Sequence, residues 1–211
     1  MLPQPTTMEG LVRQALSLLD QPGRRCLAMA GAPGSGKSTS AATLQDAVNA
    51  TAPGAAAILP MDGFHFDDAV LEDRRRRPWK GAPDTFDVGG LISVIMRLRQ
   101  QDDIVAVPVF DRDLEISRGS ARLIPQDTRL IIVEGNYLLL DEAPWSSLAP
   151  LFDLTVMIDV PEIVLAERLR ARWAHYDMSS DQIMQKLEDN DLPNGRRVRQ
   201  HSRPADFILQ Q

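Results

Sequence analysis

Residues 26–50 read "CLAMAGAPGSGKSTSAATLQDAVNA", and this stretch decides the fold. It passes from a short apolar run, 26–30, through three glycines to one lysine and two hydroxyls, then into an alanine-rich helical pattern. Gly31, Ala32, Pro33, Gly34, Ser35, Gly36, Lys37 and Ser38 match the spacing G-x-x-x-x-G-K-[ST]. Glycines allow positive φ and let the backbone approach an anion closely. Successive N–H groups at a helix start form a concave nest for phosphate, and the helix dipole favours negative charge there. In such a loop Lys37 reaches the β- and γ-phosphates, and the hydroxyl of Ser38, next to Thr39, serves Mg2+. The motif needs a strand before it and a helix after it. The pattern predicts a strand over 26–30 and a helix over 38–50, with Ala42, Leu44 and Val48 on one face. A polyphosphate such as ATP is the ligand this chemistry fits.

Working outward, 7–20 carries an amphipathic helix pattern that "QPGRR" ends. Short buried strands are expected over 56–61, 130–133 and 154–158, with a last one in "ADFIL" near the C-terminus. A strand-like run over 103–110 contains Pro108, which places it at an edge or a bend. Helices are expected over 88–101, from Pro161 to about 173, and over 180–189. Strands alternating with helices imply a parallel sheet covered on both faces. A chain of 211 residues reads as one unit, 1–211, with the segment 1–22 packed on it as an N-terminal helix.

The bulk properties exclude several classes. The hydrophobic fraction is 44%, the charged fraction 25% and the net charge -6. A nucleic-acid partner is disfavoured, because it calls for a basic surface. Cys26 is the single cysteine, so neither a disulfide framework nor a cysteine-based metal site forms within one chain. No apolar run has the length of a membrane span, and the N-terminus lacks a signal-peptide layout. A cytoplasmic enzyme is the expectation. Lysine is scarce: only Lys37, Lys80 and Lys186 occur.

In parallel α/β sheets, ligands bind beyond the carboxyl ends of the strands. Those ends deliver Asp62, Glu134 and Asp159. Phosphoryl transfer needs a carboxylate to accept the proton of the attacking hydroxyl and acidic groups to position Mg2+. Asp62 and Glu134 suit the two roles, although D-G is also a turn signal and Glu134 also suits a strand cap. Asp159 reads as structural. His65 reads equally as a catalytic or a holding residue. Arg168 and Arg172 lie four apart on one helix face, either to close over phosphate charge or as a solvated basic face. The run 74–77 either holds an anionic substrate or is exposed.

Four stretches together resemble the P-loop small-molecule kinases related to uridine kinase, phosphoribulokinase and pantothenate kinase: "GAPGSGKST", "MDGFHF", "PVFDRDLE" and "IIVEGNYLL". The likeness runs from about Arg24 to Leu209. "MDGFHFDD", "PVFDRDLE" and "NDLPNGRRV" look most like a bacterial branch labelled fructose transport system kinase. The resemblance implies a three-layer α/β/α fold with a five-stranded parallel core. It implies Asp62 as catalytic base, Glu134 near Mg2+ or the substrate, Arg168–Arg172 within a lid spanning 161–190, and an acceptor side over 62–115. On that side Phe64, His65, Phe86, Asp111 and Glu115 are the candidates for touching a sugar, nucleoside or related alcohol. Uridine kinases carry a His where this chain has Glu115, which counts against a nucleoside.

Other P-loop classes lack support. None of Asn49, Asn136, Asn190 and Asn194 is followed by Lys, so no guanine-reading N-K-x-D element exists, and no transporter-type L-S-G-G-Q signature occurs. A partner-coupled ATPase switch is the remaining alternative.

Overall fold

The computed structural model describes residues 2–100 and 102–211. The expected helix end at Gln101, and Met1 at the head of the chain, lie outside the described residues. In chain order the elements are β1 (Gln4–Thr6), α1 (Met8–Leu19), β2 (Arg25–Gly31), α2 (Lys37–Thr51), β3 (Ala56–Pro60), α3 (Asp68–Asp73) and α4 (Val88–Arg99). They continue with β4 (Ile104–Asp111), β5 (Ile116–Pro125), β6 (Leu130–Gly135), β7 (Leu154–Asp159), α5 (Glu162–His175), α6 (Ser180–Lys186), α7 (Leu192–His201) and β8 (Phe207–Gln210).

The main sheet has the order β1-β8-β7-β2-β6-β3, and every pair in it is parallel. The core sheet therefore has six strands, where five were expected. The sixth is β1, a three-residue edge strand of sequence QPT that carries no apolar pattern. Period-two alternation buries both faces of the central strands. Cys26, Ala28 and Ala30 of β2 pack with Ile131 and Val133 of β6 on one face, under Leu91, Ile95 and Leu98 of α4 and Val198 of α7. Leu27 and Met29 pack with Leu130 and Ile132 on the other, under α1 and α2. This is the three-layer α/β/α arrangement. The buried positions of α2 include Ala41, Leu44 and Val48, while Ala42 is exposed; the inner stripe starts one residue earlier than expected.

Outside the main sheet, β4 and β5 form an antiparallel hairpin. Its register shifts between Val107 and Val109, at Pro108, where the ring nitrogen has no hydrogen to give to a ladder. Among the described residues no helix is long and apolar enough to cross a membrane.

One buried arginine ties the layers together. Arg24 is 4% exposed. Its guanidinium donates to the carbonyls of Leu98 (2.8 Å), Pro125 (2.8 Å), Gln126 (2.9 Å) and Thr128 (2.7 Å). It thereby binds the end of α4 to the connection between β5 and β6. Arg24→Met keeps the stem and takes a donor from four carbonyls, two of them buried and two part-buried. A loss of about 3 kcal/mol or more is expected, since each buried unsatisfied polar group costs roughly 1–3 kcal/mol. Urea unfolding checks it, and an unchanged midpoint would show that these carbonyls find other partners.

Candidate active site

The P-loop joins β2 to α2 across the carboxyl edge of the sheet. Gly34 (φ 79°) and Gly36 (φ 83°) sit in the left-handed region, which only glycine enters without strain. Gly36 caps α2 with no side-chain hydrogen bond, so the first-turn N–H groups of the helix have no capping oxygen. Lys37 is the first helical residue, and its Nζ donates to the Ala32 carbonyl at 3.1 Å. Burial pushes its pKa down to about 8, against the pull of Glu134 and Asp62. Pro33, Gly34, Gly36, Lys37, Ser38 and Thr39 line one cavity, while Ser35 is fully buried beneath the loop.

The same cavity is lined by Asp62, His65, Phe86, Glu115, Glu134 and Arg172. Glu134 lies within β6, which runs two residues further than expected, and burial raises its pKa. Its Oε1 accepts from Ser38 Oγ at 3.2 Å. A hydroxyl and a carboxylate side by side fit Mg2+, which prefers one or two protein oxygens plus phosphate and water to an all-protein cage. Among the described residues no cluster of three or more His, Cys, Asp or Glu side chains could hold a metal ion.

Asp62 follows β3 in a short 3-10 turn, Met61–Phe64. Burial raises its pKa, but His65, Arg112, Lys37 and Arg172 together overcome this and hold it below the ordinary carboxylate range. Arg112 makes a direct ion pair with it. His65 supports the turn: its Nδ1 lies 2.8 Å from the Asp62 carbonyl, so in the neutral ring the proton sits on Nδ1. Burial lowers the His65 pKa, which keeps the ring neutral near pH 7. The ring packs between Phe86 and Phe110, with centroids at 4.0 and 4.7 Å.

Two of the acceptor-side candidates fall elsewhere. Phe64 is buried in the core beneath the cavity. Asp111 accepts from the N–H groups of Asp113 (3.2 Å) and Leu114 (3.1 Å) and faces Arg118 at 3.5 Å, so it caps its own turn. Gly31 ends β2, and Ala32 is buried with its carbonyl on Lys37. Arg168 is 3.5 Å from the Gly34 carbonyl and exposed, outside the cavity lining that includes Arg172. The run 74–77 splits: Arg74 stacks over Phe66, Arg76 pairs with Asp84, and Arg77 alone lines the cavity. Asp159 pairs with Arg199 at 3.2 Å, a structural place.

Sequence reading missed Lys80, Arg112, Trp173, Asp191 and Asn194, all of which line the cavity. Asp191 closes a π-helical turn, Leu187–Asp191, which continues α6 where an ordinary helix end was expected. Its Oδ2 accepts from Trp173 Nε1 at 2.7 Å, linking that turn to α5.

A parallel α/β/α fold with this loop, and carboxylates converging on it, defines a P-loop kinase. Residues 26–211 match the Phosphoribulokinase / Uridine kinase family, and the chain belongs to that family. It is 34% identical over 198 residues to "Uncharacterized protein YggC" of Escherichia coli (strain K12), covering 93% of this chain and 81% of that protein. It is 31% identical over 221 residues to "Putative uridine kinase C227.14" of Schizosaccharomyces pombe, covering 99% and 92%. Among solved structures, the "putative fructose transport system kinase" of Silicibacter sp. TM1040 is 39% identical, with a TM-score of 0.89 and coverage of 98% and 99%.

Proposed function

We propose that this kinase moves the γ-phosphoryl group of MgATP to a hydroxyl of a sugar or related polyol. The observation that carries the reading is the convergence of Lys37, Ser38, Asp62 and Glu134 on one cavity. Asp62, held ionised by its cationic neighbours, takes the proton of the acceptor hydroxyl. The freed oxygen forms a bond to the γ-phosphorus as the bond from that phosphorus to the bridging oxygen breaks, and ADP leaves. Lys37 and Arg172, which both line the cavity, would take up the charge that spreads over the transferring group. Ser38 and Glu134 would hold Mg2+, whose part is to neutralise phosphate charge.

The chain works as one catalytic unit in this reading, with N-terminal residues 1–22 packed on it. The segment 62–115 faces the acceptor, and 161–190 acts as a lid carrying Arg172. An enzyme that draws on MgATP for small metabolites belongs in the cytoplasm. Two features support a sugar: Glu115 at the position where uridine kinases carry His, and the fructose label of the Silicibacter relative. A coupled ADP-release screen over sugars, nucleosides and pantothenate tests it. Sugars are expected to give the highest kcat/KM. Uridine or cytidine far above every sugar would make this a nucleoside kinase, and ADP release that no acceptor stimulates would favour an ATPase switch.

A further inference from the structure

The stretch NDLPNGRRV, 190–198, has no part in the phosphoryl transfer described above, yet it meets three other parts of the cavity wall. Asn190 Nδ2 donates to the Lys80 carbonyl at 2.9 Å. Asp191 Oδ2 accepts from Trp173 of α5. Gly195 lies against Ala32 and Pro33 of the P-loop. Asn190, Asp191 and Asn194 are polar but only 5%, 8% and 8% exposed. Asp191 and Asn194 both line the cavity. The π-turn that presents Asp191 is a form of helix found mostly as single turns at functional sites.

The hydrogen bonds fix which atoms are left over. Asn190 gives its amide N–H to Lys80, so its Oδ1 is the acceptor that Asn194 Nδ2 reaches at 2.7 Å. Both amides are oriented by this chain, and Asn194 Oδ1 receives no hydrogen bond among the described residues. Asp191 is similar. Trp173 takes one carboxylate oxygen, and Oδ1 receives no hydrogen bond among the described residues. Neither oxygen is sealed inside the protein, so both are open to the cavity. Burial raises the Asp191 pKa, and the Trp173 bond with the charges of Lys186, Arg172 and Arg112 opposes the rise without cancelling it. Two buried acceptors without donors are unfavourable until a ligand brings hydrogens to them.

Their polarity selects the ligand. A phosphate or carboxylate offers only acceptor oxygens and would be repelled by Asp191. An ammonium would donate, but Lys186, Arg172 and Arg112 already face the same carboxylate. A neutral hydroxyl donates and adds no charge.

We propose that Asp191 and Asn194 determine acceptor specificity, each accepting the hydrogen of an acceptor hydroxyl other than the one that reacts. This rests on the reading of the cavity as that of a sugar or polyol kinase, and it names the groups that would read the sugar. The test is ADP release with glucose, fructose and ribose and with analogues of each lacking one hydroxyl. Loss of the reacting hydroxyl should abolish turnover in every form of the enzyme, which marks that position. Loss of the hydroxyl facing Asp191 should lower kcat/KM of the parent about 10- to 100-fold, as a hydrogen bond to a charged group would give.

Asp191→Asn keeps the side-chain shape. Its carbonyl can still accept from Trp173, which turns the amide N–H groups, donors only, toward the cavity. This variant should lose about 10- to 100-fold in kcat/KM for the intact sugar and lose little more for the one matching deoxy analogue. The other analogues should keep their own penalties, because substitutions that share no partner act independently. Asn194→Ala should show the same coupling to a different hydroxyl, with a loss of about 10-fold, and its cycle stands even if Asp191→Asn fails to fold. KM for ATP should move little in both. Losses that multiply for every analogue, or an Asp191→Asn enzyme with unchanged kcat/KM, would overturn the proposal and leave the kinase intact. ADP release that no sugar stimulates would overturn both.

Discussion

Lys37→Ala is expected to remove nearly all turnover, by roughly 10³-fold or more, because it deletes the positive charge that the proposed mechanism sets against the transferring phosphoryl. The fold should survive. Among the described residues the ammonium makes a hydrogen bond only to the Ala32 carbonyl, and burial disfavours its charge, pushing its pKa down to about 8. Thermal unfolding of the variant should stay close to that of the parent. The same pKa predicts a pH dependence in the parent enzyme. Bound phosphates favour the charged amine, so ATP affinity is full below about pH 8 and falls as pH rises through that value. Near-normal activity in a folded Lys37→Ala protein would end the P-loop assignment.

Asp62→Asn is expected to lower kcat by about 10²–10⁴-fold, the usual cost of losing a general base. The amide keeps the size of the side chain and cannot take the hydroxyl proton. KM for ATP should move little, since the phosphate loop is built from 31–39 on another strand. The depressed pKa of Asp62 in the free enzyme also places the acid limb of the kcat/KM profile below the ordinary carboxylate range, because the base is present at every pH above its own pKa. An unchanged kcat would reduce Asp62 to a turn residue, and His65 would be the next base to test.

The P-loop, Asp62 and Glu134 were legible because each follows or ends an apolar strand, and a parallel sheet brings strand ends together whatever the loops do. The strand β1 was not legible: its three residues are held by pairing with β8, and nothing in QPT alternates. The strand β5 hid for a related reason, since nearly all its side chains are exposed and only Ile124 is buried. The helix α7 buries only Asn194, Gly195 and Val198, too few apolar positions to show a helical stripe. Lys80, Arg112 and Asp191 reach the cavity through loop geometry and a π-turn. For Lys80 alone there was a signal in composition: the three lysines of an arginine-rich chain all line the cavity, although scarcity does not say where they meet. Arg24 illustrates the opposite limit, because its partners are backbone carbonyls about 74 to 104 positions away, which no local pattern encodes.

The central claim is that phosphoryl leaves ATP for an alcohol, and following the γ-phosphate tests it most directly. The enzyme is incubated with ATP labelled at the γ-phosphorus and a pool of sugars, sugar acids and sugar phosphates, and the labelled products are separated. The account predicts label in one phosphate ester, formed in a one-to-one ratio with ADP and lost in Asp62→Asn. Label recovered only as inorganic phosphate, at a rate no acceptor changes, would contradict it and identify an ATPase.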